Sequence, residues 1–404
     1  MGAFPTKSIR VPVRFAVPAL FVAGLLLARP AHTAAQEGRP PAARLRPGTE
    51  IPAPGHAPGH APDLTPGHAP DHAPDTASAP APRPCKIAFY NVENLFDTTD
   101  DPATRDDAFT PRGRRRWSEE RCAAKCARIA RVVADLSACG GGEAAVVGLA
   151  EVETRALAER IAADTSLRSA GYAVVHEESA DERGIDVALL YRRDRFTAEG
   201  HRAVPVVVPG APRLATRDIL TLWGRLDGRP FFFLAAHWPS RRGGAEASAH
   251  RRRAAGAEMR RIVDSVLLSD PEVCIVAMGD FNDDPVDASL TECLRARATL
   301  PAPGSGDLYN PFCTLYRAGR GTLVYRGEWN LFDQIVVCER LAAAPAGAPR
   351  LAADPQTGAH AAIFRPDYLL LRTGPDRGTP FRTYSGNRYT GGYSDHLPVY
   401  IRLE

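Results

Sequence analysis

Lysine is nearly missing from this chain. Lysines and arginines together number 50, and only Lys7, Lys86 and Lys125 are lysines. The net charge of +3 is small, which excludes the strongly basic or acidic classes whose composition alone names a partner. Genome composition produces such an arginine bias as readily as function does. The clusters at Arg112–Arg116, Arg241–Arg242 and Arg251–Arg253 are therefore compatible with a polyanionic partner without requiring one.

A membrane-spanning run is lacking too. The apolar stretch 15–28 has 14 residues, short of the ~20 that a spanning helix needs. Lys7, Arg10 and Arg14 precede it and the small residues of "HTAAQ" follow. Residues 1–35 thus read as a secretory signal peptide cleaved after Ala35. Export to the periplasm, cell surface or medium is the expectation, with no integral membrane segment left after cleavage.

Between residues 36 and 84 large apolar side chains are almost absent. The near-repeat "PGHAPGHAPDLTPGHAPDHAPD" cannot bury enough surface to offset its ordering entropy, which excludes a packed domain there. His56, His60, His68 and His72 could capture metal weakly, but an extended Pro-rich spacer is the simpler reading. Eight cysteines permit disulfides in an exported protein. Cys122 and Cys126 lie one helical turn apart, yet no Cys/His pair follows at zinc-finger spacing, which excludes that class. Cys274 and Cys338 sit in apolar runs and read as buried small hydrophobes.

Residues 85–404 remain as one sizeable domain. Short β-rich runs alternate with helical patterns, which argues for a layered α/β architecture. The predicted strands are "KIAFYNV", "AAVVGLA", "DVALLYR", "ILTLWGRL", "PFFFLAAH", "EVCIVAMG", "FDQIVV", "YLLLR" and "LPVYIRL". Helices are predicted over 118–136, 155–167, 245–268 and 286–295. "DGRP" at 227–230 marks a hairpin, so the sheets are not purely parallel. The charged segment 98–117 and the Ala/Pro-rich segment 342–360 read as surface loops.

The polar residues then sort by position. Asn91 and Glu93 end the first run, Glu151 the second, His237 the fifth, and Asp280 with Asn282 the sixth; Asp395 and His396 precede the last. Strand ends in a layered α/β domain can converge on one crevice. Residues two apart, such as Asn91/Glu93 and Asp280/Asn282, can face one side. Carboxylates so gathered would repel without a cation, and oxygen donors with no cysteine suit Mg²⁺, Mn²⁺ or Ca²⁺. Taken singly, each motif is an ordinary turn; together they supply complementary chemistry.

In this order, "FYNVENLFD", "GLAEVE", "RGIDVALLYR", "AAHWPSR", "MGDFND", "NLFDQIVV" and "YSDHLPV" resemble the endonuclease/exonuclease/phosphatase superfamily. The resemblance implies a deoxyribonuclease I-like four-layer α/β sandwich, two mixed β-sheets face to face with helices outside. It implies Glu151 as principal metal ligand with Asn91, Glu93 and Asp395 beside the cation. It further implies His396 next to the scissile phosphate with Asp333 fixing its tautomer, and Asp280 and Asn282 holding the attacking water and a phosphate oxygen. His237 matches the second histidine of the deoxyribonuclease I and phosphatase branches, where the abasic-site branch has tyrosine. Asp186 is a candidate to orient His237, and Arg183 and Arg241 are candidates to touch phosphate.

The expected chemistry is metal-dependent, in-line attack of water on a phosphoester. Three functions compete. A monomeric exported nuclease comes first. A sphingomyelinase- or 5-phosphatase-like hydrolase is second, although no obvious apolar loop for a membrane is present. A non-catalytic surface binding protein on the same fold is third, and retention of the whole motif set argues against it.

Overall fold

The computed structural model describes residues 83–404 except 212–213, 345–346 and 355–357. The signal-peptide and spacer expectations lie outside these residues.

In chain order the strands are β1 Cys85–Leu95, β2 Glu143–Val152, β3 Tyr172–His176, β4 Asp186–Arg192, β5 Phe196–Val204, β6 Ile219–Leu226, β7 Arg229–His237, β8 Cys274–Asp280, β9 Ala296–Arg297, β10 Leu308–Tyr309, β11 Leu323–Tyr325, β12 Glu328–Asn330, β13 Asp333–Cys338, β14 Ala361–Ile363, β15 Tyr384–Ser385, β16 Arg388–Tyr389 and β17 Val399–Leu403. One sheet runs β14-β17-β1-β2-β4-β3 and the other β5-β6-β7-β8-β13-β10-β9. Within them β1/β2 and β7/β8 pair parallel, whereas β1/β17 and β8/β13 pair antiparallel, so both sheets are mixed.

Successive side chains on a strand point to opposite faces, and β1 obeys this with both faces buried. Ile87 and Phe89 join one core, Ala88, Tyr90 and Val92 the other. The first core lies between the sheets and continues under helix α3 (Ala245–Ser269) through Ala255, Met259, Ile262 and Val263. The second is roofed by α1 (Glu119–Ala138) and α2 (Arg155–Ala162). The result is helix, sheet, sheet, helix: the four-layer α/β sandwich. Each fully buried Val, Leu, Ile or Phe contributes about 1.5–3 kcal/mol relative to exposure. A glycine sets how closely the sheets approach, since a Cβ on Gly148 would sit 2.7 Å from Met278 Sδ and 2.9 Å from a Phe89 ring carbon.

Local sequence explains the element ends. Ser118 caps α1 by accepting from the Arg121 amide, and Thr154 caps α2 by accepting from Leu157, as hydroxyls at that position do. The β6–β7 hairpin closes through Asp227 and Gly228, both at positive φ (48° and 81°), the signature of a type I′ turn. Two predicted elements differ. "YLLLR" is not a strand: Asp367–Leu369 forms a 3₁₀ turn entered from Pro366, and Leu369 is buried beneath the sheet's helical cover. The predicted helix 286–295 reduces to a five-residue π-helical turn, Ser289–Cys293. All eight cysteines are free thiols; Cys274 and Cys338 are buried, as their apolar runs implied. No helix among the described residues is long and apolar enough to cross a membrane.

Candidate active site

Topology decides which strand ends meet. Because β7 and β8 are parallel, their C-terminal ends share an edge; because β13 is antiparallel to β8, its start lies at that same edge. The register aligns His237 with Asp280 and Asp280 with Asp333. Three functional side chains thus stand in a row across neighbouring strands. The opposing sheet works likewise: parallel β1 and β2 deliver Asn91 and Glu151, and antiparallel β17 begins just beyond His396.

Backbone strain marks the same place. Glu93, Asn94, Glu151 and Asn282 all have left-handed φ between 51° and 65°, a conformation that costs L residues roughly 1–3 kcal/mol each. All four lie at or just beyond the ends of β1, β2 and β8, where the functional side chains gather.

Asp280 is the hub. Its Oδ2 accepts from Asn91 Nδ2 at 3.0 Å and its Oδ1 from the Asn282 amide at 3.0 Å. His237 Nε2 stands 3.5 Å from Asp280 Oδ2, and His396 Nε2 3.9 Å. Burial, opposed by the nearby His396 charge, raises the Asp280 carboxyl to about 6. The two histidines are driven apart. His396 is buried, which disfavours its charge, but its Nδ1 donates to Asp333 Oδ2 at 2.7 Å, and Asp333 and Asp280 together hold its pKa well above the usual range. His237 is pushed well below it, by burial first and then by Arg217, Arg183 and His396. The two imidazoles are thus shifted in opposite directions while both face the same carboxylate oxygen, Asp280 Oδ2.

The predicted metal-side residues divide. Glu151 Oε2 accepts from the Asn94 amide at 2.7 Å, while Oε1 stands 3.9 Å from both Arg183 and His237. Glu93 accepts from the Thr383 amide at 2.6 Å and from Arg382 Nε at 3.3 Å, and Arg382 also donates to Asp395 at 2.9 Å. Burial and the Asp395 charge raise Glu93 to about 7, against the pull of Lys125 and Arg382. Among the described residues, Asp280, Asp333 and His396 bring potential ligand atoms within 4.8 Å of one another. The direct His396–Asp333 bond makes that trio an acid–imidazole relay, since an ion between them would have to break it. Glu151 suits a hard cation better: it is a carboxylate with Oε2 fixed by the Asn94 amide and with Oε1 making only contacts of 3.9 Å, to Arg183 and His237.

Two candidates are corrected. Asp186 does not orient His237; it accepts from the amide of Ser179 at 3.1 Å and from the Ser179 hydroxyl, because β4 pairs with Val152 and turns Asp186 toward its own loop. Nδ1 of His237 is buried without a partner. Arg241 is not presented to phosphate. It donates to the Asn282 carbonyl at 2.9 Å and to Asp287 at 2.7 Å, with Asp283 and Asp284 within 3.3 Å and the Phe332 ring beneath it. Arg183 remains half-exposed beside Glu151 and Asp181.

Three residues escaped the sequence reading. Arg217 is fully buried and clamps the carbonyls of His237 (2.8 Å) and Trp238 (3.0 Å) while pairing with Asp181 at 2.6 Å. Arg382 bridges Glu93 and Asp395. Lys125 donates to Thr383 Oγ1 and to the Tyr393 carbonyl at 3.1 Å. Of these only Lys125 carried a signal, lying with Cys122, Cys126 and Ile129 on the buried stripe of α1.

A sequence model of the Endonuclease/Exonuclease/phosphatase family matches residues 86–404. The chain belongs to this family. As a member it is a metal-dependent phosphoric ester hydrolase. Solved structures similar to it include humanized D. rerio TDP2 (14% identity, 80% of this chain and 99% of that one, TM-score 0.48), the human Nocturnin catalytic domain with bound sulfate (15%, 80% and 93%, 0.45) and the Bacteroides thetaiotaomicron mannosyl-6-phosphatase (17%, 79% and 99%, 0.44). Comparison with curated proteins gives no match.

Within this family assignment, Asp186 has a separable role. Burial raises its carboxyl to about 6 from an ordinary 3.8, against the Ser179 hydrogen bonds. The folded-state pKa exceeds the unfolded one, so stability is full below pH 4 and is lost as pH rises through 6. Asp186→Asn escapes this loss. Its stability relative to wild type should improve by up to about 3 kcal/mol between pH 4 and pH 8, with kcat within about threefold. Urea titrations at the two pH values and one rate measurement check this; a hundredfold fall in kcat would restore Asp186 to the catalytic set.

Proposed function

We propose that this chain is an exported, divalent-metal-dependent phosphodiesterase that cleaves nucleic acid by in-line attack of water. The row His237–Asp280–Asp333, completed by His396, is the observation that supports it: one carboxylate faced by two imidazoles shifted in opposite directions. Asp280 orients and deprotonates the attacking water, with Asn282 and Asn91 fixing its two oxygens. His396, held as imidazolium by Asp333, donates to a non-bridging phosphate oxygen where charge builds in the transition state. His237, neutral, offers a hydrogen bond to the phosphate from the other side. Arg183 reaches a further phosphate oxygen. A Mg²⁺ ion, or Mn²⁺ or Ca²⁺, bound at Glu151 with Asn91 and Glu93 alongside would supply Lewis-acid stabilisation.

The surface favours nucleic acid over lipid. Among the described residues the exposed large hydrophobic ones, Val207, Leu268, Val286, Leu300 and Tyr325, are few and far apart in sequence, whereas a membrane enzyme presents a contiguous apolar patch. Half-exposed Arg183 and Arg382 suit a phosphate backbone. The test offers the purified chain, with Mg²⁺, duplex DNA, RNA, sphingomyelin and inositol phosphates side by side. Hydrolysis of nucleic acid is expected; activity on lipid or inositol phosphate alone would overturn the reading.

A further inference from the structure

The hairpin β11–β12 grows out of the active-site wall. Its first residue, Leu323, pairs antiparallel with His396. The Leu397 amide donates to the Thr322 carbonyl at 2.8 Å and the Thr322 amide to the Asn330 carbonyl at 2.8 Å, which fastens the hairpin at its base. Residues directly opposite in an antiparallel pair project to the same face. Leu323 therefore shares a face with the His396 side chain, and Tyr325, two residues on, continues that face. At ~3.4 Å per residue, Tyr325 lies roughly 7 Å beyond His396 along the strand, the scale of one sugar–phosphate repeat.

The other face anchors the hairpin. Val324 opposes Trp329, Trp329 packs against the core beneath α1, and the Arg365 guanidinium lies 5.1 Å from its ring centroid. The tip is a two-residue turn, Arg326 and Gly327, with φ of 53° and 86°, the stiff I′ geometry. This supported arm displays Tyr325 at 58% exposure, with the Arg326 guanidinium 5.2 Å from its ring centroid. The other exposed large hydrophobic residues among those described are aliphatic. A ring so exposed contributes little to folding. An aromatic face backed by arginine beside a phosphate-cleaving histidine is what base stacking requires.

We infer that Tyr325 stacks on the nucleobase next to the scissile phosphate, with Arg326 covering the ring's other face and contacting the adjoining phosphate. This rests on the nuclease reading above and names the part of the substrate that the hairpin recognises. The test uses the full chain with Mg²⁺ in steady state on two substrates: a single-stranded oligodeoxynucleotide, and a strand of equal length whose sugars carry no bases. Tyr325→Ser should raise KM on the base-bearing strand about 5- to 100-fold, the range for losing one base–aromatic stack. It should leave kcat and the base-free strand unchanged, and Tyr325→Trp should restore the wild-type KM. An unchanged KM for Tyr325→Ser, or an equal loss on both strands, overturns the inference while the nuclease reading stands. Wild-type protein that cleaves duplex DNA or RNA but neither strand overturns the inference alone; protein that cleaves none of these nucleic acids overturns the nuclease reading, and the inference with it.

Discussion

Replacing Asp280 with asparagine is expected to lower kcat for phosphoester hydrolysis by about 10²- to 10⁴-fold, the range for general acid–base help, in a chain that remains folded. Asparagine keeps the volume and an Oδ1 to accept the Asn282 amide, while its Nδ2 faces the Asn91 Nδ2 donor, a donor–donor contact confined to these two side chains that leaves the apolar packing of β8 in place. It loses the charge. The buried imidazolium of His396 keeps only Asp333 as its close anion, and the attacking water keeps no carboxylate to take its proton. Thermal unfolding separates the two effects: a midpoint within a few degrees of wild type combined with the rate loss assigns Asp280 to chemistry. A variant that retains a tenth or more of the wild-type rate would remove Asp280 from the centre of the site.

The second large effect concerns stability. Lys125→Met should cost about 3–5 kcal/mol, because removing one partner of a buried charge constellation leaves the others uncompensated. Lys125 is wholly buried, with its pKa lowered to about 8 by desolvation against the pull of Glu93, Asp395 and Glu151. Its ammonium ties α1 to the loop carrying Arg382, Thr383 and Tyr393, the same loop that holds Glu93 and Asp395. Chemical denaturation measures the cost. In the Glu93→Gln background the cost should shrink, since the carboxylate most dependent on that cation is gone. An undiminished cost in the double variant would mean that Lys125 acts through packing alone.

What could be read in advance has a physical pattern. Asn91, Glu151, His237, Asp280 and His396 were visible because each interrupts or borders an apolar run, and a strand's end is where a polar group reaches solvent. The pairing of His396 with Asp333 followed from family resemblance, not from spacing, since 63 positions separate them. Arg217 and Arg382 were hidden for the converse reason: both lie in polar loop sequence, and long-range folding alone brings Arg217 under the His237 carbonyl and Arg382 between two carboxylates. Asp186 misled because it follows the right motif yet faces the wrong way, a consequence of the β2–β4 register. Arg241 misled because it closes "AAHWPSR", the motif that carries His237, whereas Asp283, Asp284 and Asp287 hold its guanidinium. Asp283 accepts from Ser289 Oγ at 2.6 Å and pairs with Arg252 at 2.7 Å; Asp284 accepts from the Leu331 amide at 2.8 Å. The left-handed turns at Glu93, Glu151 and Asn282 left no compositional trace, since none is glycine. Conversely, Gly392 has a steric role, as a Cβ there would meet the Phe381 and Arg382 carbonyls at 2.1 and 2.2 Å. It brings the loop that presents Asp395 and His396 against the one that presents Arg382.

Direct, in-line attack of water positioned by Asp280 has a measurable stereochemical consequence. Cleavage of a nucleic-acid strand carrying one phosphorothioate linkage of defined configuration, in ¹⁸O-labelled water with Mg²⁺, should give a product inverted at phosphorus. Retention of configuration would require an intermediate bonded covalently to the protein, and would contradict the roles assigned to Asp280, His237 and His396.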